Sequence, residues 1–140
     1  TLFRSSTEDS HLLTWLVKNH LLMSITAQRQ DIYDPKTIQK FCYQLPSPHY
    51  LDYLYLLTVA DICATNQKLW NSWKDSLLKE LYQASHDFLL KQQALMDEKL
   101  LIQHKQEKAL TYLSPHSFST DEVTHLWASF KAIYFLHYAL

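Results

Sequence analysis

Residues 54–82 read LYLLTVADICATNQKLWNSWKDSLLKELY, and their spacing decides the fold class. Leu54, Leu57, Thr58 and Ile62 recur at three- and four-residue steps, as do Trp70, Trp73, Leu77 and Leu81. Both sets follow the period of one face of an α-helix and neither alternates as a strand does. Asn66 between the two runs is a capable N-cap, so the stretch predicts one helix ending near Ala64 and a second starting just after it. One residue is out of keeping. Asp61 puts a carboxylate into an otherwise apolar run.

The same helical grammar extends outward in both directions. Ser6 or Thr7 can cap a first helix from about Asp9 to Ser24, on which Leu12, Leu13, Leu16 and Val17 share a face. TAQRQDIYD, residues 26–34, reads as a polar loop. Asp34 followed by Pro35 pairs an N-cap with the residue best suited to a first helical turn, opening a helix to about Gln44. Ser47 and Pro48 repeat that signal for the helix that reaches Ala64. Beyond it a stripe of Leu69, Trp70, Trp73, Leu77, Leu81 and Phe88 predicts a core-facing helix to about Met96. Residues 97–113 are more charged and read as a separate outer helix, SPHSFSTDE at 114–122 as a linker, and Thr120, Asp121 and Glu122 as the start of a last helix running to the end.

Composition closes off other classes. The chain has 140 residues and no glycine. Phosphate-cradling loops, dinucleotide fingerprints and nucleophile elbows all need glycine where backbone approaches a ligand or turns sharply, and two-residue hairpins rely on it too. The expected class is therefore all-α, a helical bundle, with 47% hydrophobic residues sufficient for one core. Thirteen basic residues against fourteen acidic ones provide no electrostatic footprint for nucleic acid or for an anionic membrane surface. No apolar run approaches the roughly 20 residues of a spanning helix, and TLFRSSTEDS at the start lacks the features of a signal peptide. Cys42 and Cys63 match no paired spacing and read as reduced residues in or near a core. The chain reads as soluble and cytoplasmic.

Two residues are candidates for chemistry. Asp61 shares a helix face with Leu54, Leu57, Thr58 and Thr65, where an ionised carboxylate loses water at a cost of several kcal/mol unless it is compensated. It is either a rim carboxylate held by Thr58, Thr65 or an arginine, or a metal ligand. His20, in WLVKNHLLMS, lies one turn from Leu16 and Val17 and from Met23 and Ser24, and is either a packed histidine or a second ligand. The other histidines show no i, i+4 pairing of the kind that builds a zinc helix.

Longer phrases carry a resemblance. WLVKNHLLMSITAQRQDIYDP followed by LLTVADICATNQKLWNSWKDSLLKELY is similar to the bifunctional uridylyltransferase/uridylyl-removing enzymes of bacterial nitrogen signalling, in the C-terminal half of their HD-type phosphohydrolase domain. ALTYL, LWASF and IYFLHY resemble the connector before the paired ACT domains of that family. The resemblance divides the chain into a partial HD domain, 1–96, and a helical connector, 97–140. It implies that Asp61 is the late metal-binding aspartate of the HD site and that His20 lies beside that site, binding a second metal or the phosphate. Thr26, Gln28 and Arg29 would form a phosphate- or product-orienting loop, although Arg29 can equally pair with Asp31 or Asp34.

The implied cofactor is a divalent metal, magnesium or manganese, and the implied partner is the PII signal protein. The reaction would be hydrolysis of the phosphodiester joining UMP to a PII tyrosine, whose leaving oxygen, with a pKa of about 10, needs no strong acid. UTP use and glutamine sensing would belong to other domains. The family's His-Asp doublet is expected upstream of Thr1, because His86–Asp87 follows Asp61 in sequence order. The resemblance thus implies an excised piece, inactive alone, whose uncovered apolar faces favour a dimer or helix exchange. A rival from another class is a non-catalytic helical connector or interaction module, with Trp15, Trp70, Trp73 and Trp127 as packing or partner surface.

Overall fold

In the computed structural model, which describes residues 7–65, 70–113 and 119–137, every regular element is helical: α1 Thr7–Asn19, α2 Leu22–Arg29, α3 Pro35–Cys42, α4 Tyr50–Thr65, α5 Ser72–Leu113, α6 Thr120–Ala128 and α7 Ala132–His137. No strand occurs among the described residues, as the missing glycine leads one to expect. The chain divides into two compact units, Thr1–Leu90 and Lys91–Leu140, with α5 running through the division.

In the first unit one core gathers Leu16 from α1, Met23 and Ala27 from α2, Ile38, Phe41 and Cys42 from α3, Leu51 and Leu54 from α4, and Leu78 and Leu81 from α5. Burial of side chains this size contributes roughly 1.5–3 kcal/mol each. Of the expected stripe, Trp70, Leu77, Leu81 and Phe88 pack on the core. Leu78, Leu81 and Ser85 are buried, whereas Trp73 is 61% exposed. Edge-on packing of Trp15 against Tyr50, with ring centroids 5.3 Å apart, ties α1 to α4.

Caps explain several boundaries. Asp34 Oδ1 accepts from the Lys36 N–H and Pro35 fills the first turn of α3, as the sequence predicts. Ser47 does not cap α4. Its hydroxyl contacts His49 Nδ1 at 3.0 Å, and the helix starts at Tyr50. Asn66 lies outside the described residues, as do Ser6 and residues 114–118; the side chain that receives the first turn of α5 is Asn71, whose Oδ1 accepts from the Lys74 N–H.

The two helices expected over residues 67–96 and 97–113 are one. No proline or glycine interrupts Ser72–Leu113, and pairs one turn apart, Asp75 with Lys79, Gln83 with Asp87 and Gln103 with Glu107, line its sides. In the second unit Ala109, Val123 and Phe135 are buried, and Lys105 Nζ donates to the Phe135 carbonyl at 2.6 Å. A capping box joins Ser119 and Glu122 at the start of α6. The last helix is not continuous. It breaks at Ser129, whose hydroxyl turns back onto the Leu126 carbonyl at 2.6 Å, and resumes as α7.

Candidate functional site

The first expected helix also breaks, and the break lies at His20. Asn19 and His20 close α1 with their side chains: Asn19 Nδ2 donates to the Trp15 carbonyl at 2.9 Å and His20 Nδ1 to the Val17 carbonyl at 2.8 Å. The His20 bond satisfies the Val17 carbonyl, one of those that a helix end leaves unpaired, work that a left-handed glycine often does in other chains. The His20 ring is exposed.

The chain resumes at Leu22 and stays helical to Arg29, so residues 26–29 are not the loop that the sequence suggests. The apolar pattern of Met23, Thr26 and Ala27, all buried, keeps this segment on the core. Thr26 is unavailable to a ligand: it is 2% exposed and its hydroxyl donates to the Leu22 carbonyl at 2.9 Å. Gln28 and Arg29 are exposed on the last turn of α2. Among the described residues no ion pair joins Arg29 to Asp31 or Asp34. Those carboxylates accept the backbone N–H of Tyr33 and of Lys36 instead.

Asp61 is exposed, which corrects the expectation of a desolvated carboxylate. The buried residues of α4 are Leu51, Leu54 and Thr58, and Ile62 still packs on the core one residue past Asp61, whereas Ala60, Ala64 and Thr65 are exposed like Asp61. Helical spacing alone continues the apolar face to Asp61, but at that level it is Ile62 that packs on the core, and Asp61 lies off it. Thr58 donates to the Leu54 carbonyl at 2.7 Å and Thr65 to the Asp61 carbonyl at 2.7 Å, so neither hydroxyl serves the Asp61 carboxylate.

Helix α4, which bears Asp61, packs on both α1 and α2, the helices that flank His20. An imidazole nitrogen and a carboxylate oxygen are the donor types that first-row divalent ions take. Their number falls short: among the described residues no group of three or more His, Cys, Asp or Glu gathers to hold a metal. His86 and Asp87, 3.8 Å apart, sit on an outer face of α5, where His86 stacks on Tyr82. No helix of the described residues is long and apolar enough to cross a membrane.

Fold and side chains together define a segment of an all-α protein with exposed nitrogen and oxygen donors on neighbouring helices. By sequence this chain is homologous to one segment of the bifunctional uridylyltransferase/uridylyl-removing enzymes. It is 60% identical over 93% of its length to the enzyme of that name from Legionella pneumophila (strain Corby), and 48% identical over 95% of its length to that from Vibrio campbellii. Residues 97–139 match the family described as the uridylyltransferase GlnD fifth domain. The chain spans 15% of the length of these relatives. No solved structure matches it.

Proposed function

We propose that this chain is the part of a bifunctional uridylyltransferase/uridylyl-removing enzyme that contributes to metal-dependent hydrolysis of the uridylyl-tyrosine phosphodiester on the PII signal protein. The observation that carries this function is the 60% identity across 93% of the chain, which takes in both phrases bearing His20 and Asp61. The exposure of these two side chains supports it, because donors that point into water are free to complete a site with residues from elsewhere in a longer protein.

In this function Asp61 supplies a fixed anionic oxygen from the last turns of α4, and His20 a nitrogen from the end of α1. Gln28 and Arg29, exposed at the end of α2, are placed to meet a phosphate oxygen, Arg29 with the charged fork suited to it. Thr26 has no such part, since its hydroxyl is buried and used. A divalent ion held there, magnesium or manganese, would supply an activated water and polarise the phosphoryl oxygens. Two donors do not hold such an ion alone, so the isolated chain is expected to bind metal feebly and to turn nothing over.

The test places the chain in the full-length Legionella pneumophila enzyme in exchange for its matching segment. Asp61→Asn should then cost the hybrid at least about 10- to 100-fold in removal of UMP from PII, the cost already of losing an outer-shell partner of a metal, while uridylyl transfer stays intact. Unchanged removal would overturn the proposal. It would favour the second candidate, a non-catalytic helical connector, which draws its support from the fifth-domain match over 97–139.

A further inference from the structure

Two helix faces of the second unit border a cleft that the proposed function does not use. Gln103, Gln106, Glu107 and Leu110 follow one another at three- and four-residue steps on α5, and Thr124 and Trp127 face the same space from α6, leaving about 380 Å³ between them. That volume falls in the lower part of the range of ligand sites, roughly 300–1,000 Å³. The lining accepts more hydrogen bonds than it donates. Glu107 Oε1 accepts from Gln103 Nε2 at 3.1 Å, and since a carboxylate has no hydrogen to give, the amide nitrogen faces it and Gln103 Oε1 stays an acceptor. The Thr124 hydroxyl donates to the Thr120 carbonyl at 2.7 Å, which leaves the lone pairs of its oxygen.

Charge narrows the ligand further. Among the described residues that line the cleft, Glu107 is the one ionised group, and no Lys, Arg or His lies there to neutralise it. Trp127 adds a half-buried indole, the aromatic ring that attracts cations best. We infer that this cleft binds a guanidinium group, presented as an arginine side chain of a peptide. Guanidinium is planar, carries five N–H donors, forks onto a carboxylate and stacks on an aromatic ring. An ammonium is a compact, strongly hydrated charge with neither property. Free arginine suits the cleft less, because its own carboxylate would stand near that of Glu107, where a peptide has a neutral amide.

Titration of N-acetylarginine methylamide into the whole 140-residue chain, at constant ionic strength, tests this. In proton–nitrogen spectra the Trp127 indole N–H should shift to saturation while those of Trp15, Trp70 and Trp73 stay in place. The lysine counterpart and free arginine should bind more weakly. Glu107, exposed on α5, can be replaced without disturbing a core, and Glu107→Gln should weaken binding at least about 10-fold, the loss of one hydrogen bond to a charged group. A Trp127 signal that does not move, an equal response at all four indoles, equal binding of the lysine counterpart or of free arginine, or an affinity unchanged by Glu107→Gln overturns the inference. The proposed function rests on α1, α2 and α4, so the hybrid-enzyme test and this one fail separately.

Discussion

The Tyr82 hydroxyl on α5 donates to Asp52 Oδ1 on α4 across 2.7 Å, joining the two longest helices of the first unit at their outer edge. The bond to the carboxylate, with burial and the charge of Asp52 behind it, pushes the Tyr82 phenol above its ordinary range. Folding therefore favours the protonated phenol. Its contribution is fully present below the ordinary tyrosine pKa of about 10 and is lost as pH rises through the higher folded value. Tyr82→Phe is expected to lower stability at pH 7 by about 1 kcal/mol or less and to shrink the loss between pH 7 and pH 11. Denaturant unfolding at both values checks this. Tyr33, bonded to Glu80 and shifted in the same direction, should keep part of the alkaline loss in place.

A second expectation concerns Ser85, fully buried on α5 with no partner for its hydroxyl among the described residues. An unpaired buried hydroxyl costs free energy that alanine does not, and alanine is also the better helix former. Ser85→Ala should raise the unfolding free energy by about 1 kcal/mol, seen as a higher denaturant midpoint at unchanged slope. A lower midpoint would show that the hydroxyl has a use that its surroundings do not reveal.

The two cysteines should differ in reactivity. Cys42 is 2% exposed, and its thiol donates to the Ser85 carbonyl at 3.7 Å. Burial pushes its pKa up and outweighs the lowering by that hydrogen bond, so little reactive thiolate forms. Cys63 is half-buried on α4. Iodoacetamide with peptide mapping should label Cys63 in the folded chain and Cys42 only after denaturation.

Leu13 and Val17 on α1, with Leu21 and Ile25 beyond its end, are each more than 40% exposed. Exposed apolar side chains of this kind favour association. The isolated chain is expected to form dimers or larger species in sedimentation velocity, and Val17→Glu, at a position 71% exposed, to shift it toward monomer without unfolding it. A clean monomer of the unaltered chain would count against this.

How far the sequence could be read shows best at particular residues. Asp34 and Pro35 start α3 as their chemistry requires, because a cap is a local event settled within a few residues. That Leu78 and Ser85 are buried as well, and that Trp73 is not, was not legible, since neighbouring faces of one apolar helix differ only in what packs on them. Nor was the break at His20. It depends on Asn19 and His20 turning onto their own helix, and on Met23 and Ala27 finding the core beyond it.

Asp61 marks the same boundary for the candidate site. Its residue type and the phrase around it could be read directly, and they carry the similarity to the uridylyl-removing enzymes. Its surroundings could not be read, because helical spacing does not tell which side chain at one level of α4, Ile62 or Asp61, the core takes in. The sequence by itself determined an all-α chain, through local period, caps and the lack of glycine, together with its kinship to the uridylyl-removing enzymes. Only the tertiary structure decided which donors are exposed and which are used up inside, because burial depends on what other helices cover and not on the helix that carries the side chain.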